Sequence, residues 1–104
     1  GIGVPVLDAP GVSGNGEALR LSVAPNPSQG EARIAFSRPL ERPGVIRVHD
    51  AQGRLVRESA VPGSAMGWVW DGLSASGKSA APGLYLAELR MGETRRFVRL
   101  VRVR

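Results

Sequence analysis

Residues 72–79 of this 104-residue chain, GLSASGKS, are the part of the sequence that most directly suggests a chemical function. They satisfy a phosphate-binding pattern in which glycine-rich backbone amides and the start of a helix hold an anion. That chemistry needs a strand before the loop and a helix after it. Here two alanines are followed by Pro82, Gly83 and a run of β-type residues. We therefore predict a polar connection between two strands, with Lys78 exposed and no nucleotide bound.

The sequence offers little support for any other catalytic or metal-binding site. The single histidine, His49, is followed by Asp50, and neighbours on an extended chain point to opposite faces, so the two do not form part of a hydrolytic triad. The absence of cysteine excludes disulfides, thiol catalysis and zinc-thiolate sites. We predict a protein that is not an enzyme, with no catalytic residue, metal or cofactor. A calcium ion at Asp71 and Ser74 is an alternative to a simple turn there.

Two tryptophans are the remaining candidates for ligand contact. Trp68 and Trp70 share one face of a predicted strand with Met66, which favours a core position for at least one of them. We predict that Trp70 lies in the core. Trp68 stays open as a core residue, an interface residue or a residue that stacks on a glycan.

The charge of the chain is concentrated at its end. Thirteen Arg and one Lys oppose nine acids, for a net charge of +5, and residues 95–104 hold five Arg and no acid. Nucleic-acid binding is disfavoured because only Phe97 accompanies these arginines, and stacking surfaces need more aromatics. We predict the solvated face of a terminal strand. Arg99, Arg102 and Arg104, together with Trp68, are the candidate contacts to a partner.

The chain divides into two parts. Residues 1–17 are rich in Gly and Pro and are predicted to be a linker or N-terminal arm, whereas residues 18–104 alternate between apolar and polar positions in short runs. No apolar run is long enough to span a bilayer. Seven strands with frequent turns and no helical period predict an all-β fold, a seven-stranded antiparallel β-sandwich.

Particular strands give sharper expectations. The third carries Ile46 and Val48 inward and leads through a turn at residues 50–53 into an antiparallel fourth strand, residues 54–61. The seventh, residues 95–104, breaks its alternation, with Phe97, Val101 and Val103 on one face and Val98 and Leu100 on the other. A bulge near Arg99 explains this pattern, as does a strand covered on both sides.

The motifs read together resemble a known family. The stretches PNPSQGEARIAFSRP, GVIRVHDAQGRLVRES and WVWDGLSASGKSAAPGLYLAEL, followed by the basic last strand, resemble FlgD-type Ig-like domains and the related C-terminal sorting domains of type IX secretion substrates. The resemblance covers about residues 19–104. The positions that match the family motifs, mainly structural ones, are Pro25, Asn26, Pro27, Asp50, Gly53, Arg54, Trp70, Asp71, Gly72, Gly83 and Tyr85.

The resemblance implies a non-enzymatic, Ig-like module at the C-terminus of a larger secreted bacterial protein. It implies a role as a secretion, sorting and cell-surface attachment signal, with the secretion machinery and an upstream domain as partners and a secreted or outer-surface location. We expect such a module to present strand edges and the basic last strand to its receptor. The alternative is an accessory β-sandwich of an extracellular enzyme, acting as a spacer, a glycan-binding domain or a hook-cap-like assembly domain.

Overall fold

A computed structural model of the chain describes residues 18–104 as an all-β domain. The predicted linker or arm, residues 1–17, lies outside the described residues. No helix that could cross a membrane is present within residues 18–104. The strands are β1 (Leu21–Ala24), β2 (Ala32–Phe36), β3 (Gly44–Asp50), β4 (Leu55–Val61), β5 (Gly67–Trp70), β6 (Gly83–Met91) and β7 (Thr94–Arg102).

The strands form two antiparallel sheets. The first has the order β1-β2-β5 and the second the order β4-β3-β6-β7. Alternation along each strand turns one face of each sheet inward, and the two inward faces make one core. Ile34 and Trp70 from the first sheet and Ile46, Leu89 and Leu100 from the second are fully buried. The predicted seven-stranded antiparallel sandwich is therefore confirmed.

The predicted hairpin between β3 and β4 is present. The amide of Gly53 donates to the carbonyl of Asp50 at 2.9 Å, which closes the four-residue turn, and the strands pair antiparallel. β4 begins at Leu55, one residue later than expected, because the Arg54 backbone completes the turn by bonding to Asp50.

The last strand differs from its prediction in two ways. β7 ends at Arg102 rather than at residue 104. No bulge occurs near Arg99, because the register between β6 and β7 is continuous from Gly83↔Arg102 to Met91↔Thr94. The irregularity instead lies between Val48 and His49, where β3 pairs with β4. The apolar residues on the outward face of β7 thus remain on that face, and Phe97 and Val101 are exposed.

Candidate functional site

The Asp50 motif builds the β3–β4 turn. Asp50 Oδ1 accepts the amides of Gln52 and Arg54 at 3.0 and 2.9 Å, and its Oδ2 accepts Arg54 Nε at 3.0 Å. The Arg54 amide, followed by the Arg54 side chain and the Gln52 amide, lowers the pKa of Asp50 by stabilising its ionised form, against a smaller opposing effect of burial. Asp50, Gly53 and Arg54 therefore serve as turn residues, with the carboxylate occupied by the protein itself.

The Asp71 motif anchors the start of the loop between β5 and β6. Asp71 Oδ1 accepts the Leu73 amide and Arg57 Nη1, both at 2.9 Å. The Leu73 amide is the main cause that lowers the pKa of Asp71. Arg57 also donates to the Leu73 carbonyl, so a guanidinium already sits where a calcium ion would bind. No cluster of three acidic or histidine ligands exists among residues 18–104.

Trp70 lies in the core, as predicted, and contacts residues at both ends of the β5–β6 connection. Its ring packs edge-on against Tyr85, with centroids 5.4 Å apart, and its Nε1 donates to the Leu73 carbonyl at 2.9 Å. Tyr85 directs its hydroxyl to the Ala81 carbonyl at 2.6 Å, just before Gly83 begins β6. Each polar tip of this aromatic pair is thus hydrogen-bonded inside the fold.

Arg102, a candidate partner contact in the sequence, is instead a buried residue with 7% of its surface exposed. Its guanidinium carbon lies 5.2 Å from the centroid of the Trp70 ring. Its nitrogens donate to the carbonyls of Gly30, Ala80 and Gln29 at 2.9, 3.3 and 3.4 Å. Because its position alternates with exposed Val101 and Val103, Arg102 points inward. It is therefore unavailable to a partner, and that expectation is corrected.

The Pro-Asn-Pro motif covers the edge of the last strand. Both its Ala24–Pro25 and Asn26–Pro27 peptide bonds are cis. Asn26 donates through Nδ2 to the Arg99 carbonyl at 3.3 Å and accepts the Val101 amide through Oδ1 at 2.9 Å. Ser28 then bonds through its backbone to the Val101 carbonyl and the Val103 amide. Residues 26–28 thereby occupy edge groups that would otherwise be open to another strand.

The loop with the phosphate-binding pattern is folded on itself. Gly72 accepts the Ala80 amide, Ser74 accepts the Gly77 amide, and the Ser74 amide donates to the Lys78 carbonyl. Two of the amides that a phosphate would need, those of Ser74 and Gly77, are thus directed to carbonyls within the loop. A strand, β6, follows the loop. The predicted strand-to-strand connection with an exposed Lys78 is what the structure contains.

The other residues of the basic tail do not form one solvated face. Arg95 Nε pairs with Glu88 at 2.6 Å, and Arg96 Nε donates to the Leu19 carbonyl at 2.8 Å. Arg104 and Arg99 are exposed. The prediction that these arginines form the solvated face of a terminal strand is corrected, because alternation along β7 sends them to both faces.

Trp68 is partly buried and packs against the core. Met66, expected on the same strand face, lies before β5 and is 58% exposed. The two tryptophans therefore do not form an open aromatic platform. Partner contact through Trp68, Arg99 or Arg104 stays a prediction.

The outward face of the four-stranded sheet carries a group of exposed apolar side chains. Continuous register places Leu84 beside Val101 and Leu86 beside Arg99. His49 lies on the other side of Leu86, and Leu55 beyond His49. The exposed apolar side chains of the face have between 37% and 53% of their surface accessible. We call this surface the outer patch; its residues are His49, Leu55, Leu84, Leu86, Phe97, Arg99 and Val101.

A groove of about 520 Å³ lies at one side of the outer patch. Leu84, Leu86 and Arg99 line it from β6 and β7, and His49 lines it from β3 with the adjoining turn. Arg99 forms no ion pair within residues 18–104, whereas Arg47, farther along the same face, is paired with Glu58 at 2.8 Å. The groove therefore combines apolar walls with one unneutralised guanidinium.

None of the sequence motifs points to the outer patch as a site. The available signal was the presence of apolar residues at both alternation phases of β6 and β7, since Leu84 and Leu86 alternate with Tyr85 and Ala87. A strand that is apolar on both faces is typical of one covered on both sides. Which strands are neighbours, and hence which residues are contiguous, required the sheet order.

The comparisons with known proteins concern the fold. No family model matches the sequence, and no curated protein matches it. Among solved structures, the chain is similar to PorZ, an essential bacterial surface component of the type IX secretion system of Porphyromonas gingivalis. The identity is 20% and the TM-score 0.65, over 81% of this chain and 11% of PorZ. It is also similar to dimeric latent PorU of Porphyromonas gingivalis, at 20% identity and a TM-score of 0.62, over 90% of this chain and 10% of PorU.

A third similar structure is the fibronectin type III domain of the human collagen alpha-1(XX) chain. The identity is 20% and the TM-score 0.52, over 88% of this chain and 82% of that domain. The chain thus spans about a tenth of the length of PorZ and PorU and most of the length of the collagen domain. At this level of identity the likeness concerns the fold alone. Residues 18–104 therefore form an Ig-like or fibronectin-type β-sandwich, of the size of one domain within a longer protein.

Proposed function

We propose that this chain is a non-catalytic module of a larger secreted bacterial protein and acts as its secretion, sorting and surface-attachment signal. The observation that carries the proposal is the likeness of this chain, over 81% of its length, to a segment of PorZ, itself a surface component of a type IX secretion system. The similar segment of PorU supports it. The order of the four sequence motifs, which resembles that of C-terminal sorting domains, is an independent argument for the same role.

The contacts at the end of β7 limit how such a module can bind its receptor. The end of β7 is not an open edge, because Asn26 and Ser28 bond to its outward backbone groups. Arg102 is committed to the core. We therefore do not expect a receptor to add a strand at the end of β7, and the module instead offers its exposed side chains for recognition.

A secretion assay tests this role. A reporter enzyme with a signal peptide is fused to residues 1–104 and expressed in Porphyromonas gingivalis. We expect the reporter to reach the cell surface or the medium, and to stay in the periplasm when the type IX system is disabled. Retention in the periplasm of the intact host would contradict the proposal.

The matched control replaces residues 18–104 of the fusion by the fibronectin type III domain of the collagen alpha-1(XX) chain. That domain has a similar fold at 20% identity. It therefore matches the size and the two-sheet architecture of this module but has different surface residues. We expect the collagen domain to leave the reporter in the periplasm. Export of both fusions would show that any sandwich suffices, and the sorting role would then be rejected.

The alternative function is that of a spacer or accessory module of an extracellular enzyme. The likeness to a fibronectin type III domain from a multidomain collagen chain favours it. The glycan-binding version is weakened because Trp68 is packed against the core. A fusion that is retained in the periplasm yet folds normally would favour the spacer.

A further inference from the structure

The outer patch has the charge pattern of a binding surface for an acidic partner. Arg99 is its only permanently charged residue and lacks an ion pair within residues 18–104. Asp50 also lines the groove, but its carboxylate is already held by Arg54 and by backbone amides. A ligand that covers the patch must therefore bring its own carboxylate to Arg99, or leave a guanidinium desolvated without a partner.

The overall charge argues against a second copy of the chain as the occupant. All fourteen basic residues lie in residues 18–104, together with seven of the nine acids, because Asp8 and Glu17 lie earlier. The described domain thus carries a net charge of +7. Two such domains repel each other on approach, whereas an acidic ligand is attracted.

The size of the patch argues for a short segment rather than a folded protein. A stable protein–protein interface uses roughly 20–30 residues on each side. The outer patch has seven, of which five lie on the adjacent strands β6 and β7, with the groove at one side. A few alternating side chains of an extended peptide match this spacing, since residues two apart on a strand face the same way.

We propose that the outer patch binds a short, extended acidic peptide segment. Apolar side chains of the segment pack on Leu84, Leu86 and Val101, and one enters the groove beside His49. A carboxylate of the segment pairs with Arg99. This proposal goes beyond the secretion role, because a module that acts only as a spacer would have the same face and bind the same segment. Either proposal can therefore fail without the other.

Titration followed by heteronuclear NMR tests the proposal on the full chain of residues 1–104. The probe is the acetylated and amidated peptide Leu-Glu-Val-Glu-Leu, and the control peptide is Leu-Gln-Val-Gln-Leu. We expect the acidic peptide to shift backbone amides of β6 and β7 around Leu86 and Arg99, and to bind at least about fivefold more tightly than the neutral one. Equal binding of the two peptides, or no shift at millimolar peptide, overturns the proposal.

Two pairs of variants locate the site. Arg99→Glu is expected to weaken binding of the acidic peptide about tenfold, whereas Arg33→Glu, the same charge reversal at an exposed position of the other sheet, changes it less than about twofold. Leu86→Ser is expected to weaken binding, and Val69→Ser, an exposed residue of β5, to leave it unchanged. Equal losses within either pair would overturn the assignment.

A vesicle experiment separates a peptide from an anionic membrane as the ligand. Phosphatidylglycerol vesicles are mixed with the native chain and with Arg99→Glu in a sedimentation assay. We expect the two proteins to behave alike. Vesicle binding that depends on Arg99, without binding of the acidic peptide, would overturn the proposal in favour of a lipid surface. Well-dispersed spectra of all variants serve to establish that each one is folded.

Discussion

The guanidinium of Arg102 joins three parts of the chain. It contacts the Trp70 ring of β5, the Gln29 and Gly30 carbonyls after β1, and the Ala80 carbonyl before β6. A flat group with donors along its edge and a face against an aromatic ring fulfils all of these contacts at once. Arg102 therefore acts as a structural connection between the sheets, and a lysine cannot reproduce it.

Replacing Arg102 by Lys is expected to lower the free energy of unfolding by about 2 kcal/mol, because the flat face and part of the hydrogen bonding are lost. Urea denaturation measures the change. The control is Arg104→Lys, at an exposed position, which should alter stability by less than about 0.5 kcal/mol. Equal stability of the two variants would refute this role of Arg102.

Asp71 is expected to stabilise the folded protein at neutral pH and to lose that effect in acid. Its pKa is lowered below the usual 3.8 in the folded state, first by the Leu73 amide. A carboxyl with a lowered folded pKa contributes its full stabilisation above the unfolded pKa and loses it as the pH falls through the folded pKa. We expect Asp71→Asn to melt at a lower temperature than the native protein at neutral pH, with the difference disappearing in acid.

Melting temperatures between about pH 7 and pH 2 test this expectation. Glu31→Gln is the control, since it removes an exposed carboxyl for which no hydrogen bond occurs within residues 18–104. Its melting temperatures should follow those of the native protein throughout. A constant difference between Asp71→Asn and the native protein across this range would disprove the linkage.

The β5–β6 connection depends on two glycines in different surroundings. Gly72 and Gly77 have positive φ angles of 82° and 87°. A Cβ at Gly72 would lie 2.7 Å from Arg102 Nη1, whereas a Cβ at Gly77 would meet nothing within 4 Å. Both positions thus need a backbone conformation with positive φ, which favours glycine. Only at Gly72 would a side chain also collide with Arg102.

Alanine at each glycine separates the two effects. Gly77→Ala is expected to cost about 1 kcal/mol, from the left-handed backbone alone. Gly72→Ala should cost about 3 kcal/mol, because Arg102 must also leave its carbonyl acceptors. Urea denaturation of both variants measures the difference. Equal losses of stability in the two variants would mean that the Arg102 side chain can move away from Gly72 without penalty, so that the loop does not fix its position.

The same loop is expected to ignore nucleotides. Its Ser74, Gly77 and Ala80 amides already donate to carbonyls of the loop, and β6 follows it. Addition of ATP and magnesium at millimolar concentration should leave the melting temperature unchanged, whereas a ligand at 100 times its Kd would stabilise by about 2.7 kcal/mol. A rise in melting temperature that disappears in Lys78→Ala would contradict this expectation.

The loop after β1 and the last strand close the sandwich. Asn26 and Val101 are 75 residues apart in sequence and are joined by a hydrogen bond of 2.9 Å. Because β1 belongs to the three-stranded sheet and β7 to the four-stranded sheet, this contact connects the two layers at one edge. The same contact protects that edge from pairing with another chain.

Hydrogen exchange at the Val101 amide tests the closure. Asn26→Ala removes its acceptor and is expected to speed exchange by roughly fivefold to tenfold, as loss of about 1 kcal/mol of hydrogen bonding would. Asn26→Asp keeps an acceptor oxygen and should retain most of the protection. If exchange at Val101 is the same in Asn26→Ala as in the native chain, Asn26 does not hold the edge.

Local sequence patterns were enough to predict the all-β class, the β3–β4 hairpin and the core position of Trp70. Those features depend on local alternation and on turn residues such as Asp50 and Gly53, which act over a few neighbours. The absence of a helix after residues 72–79 was predictable for the same reason, because Gly83 and the following β-type residues are adjacent to them. The linker assignment of residues 1–17 remains a prediction.

The roles of Arg102, Asn26 and the outer patch depend on contacts that form only in the folded chain. Arg102 and Arg104 have the same parity and the same charge, yet one is buried against Trp70 because other segments supply carbonyls there. The outer patch exists because β3, β6 and β7 are neighbours in one sheet, which aligns His49, Leu86 and Arg99 in a row. Such contacts join residues far apart in sequence, and local patterns carry no information about which strands will pair.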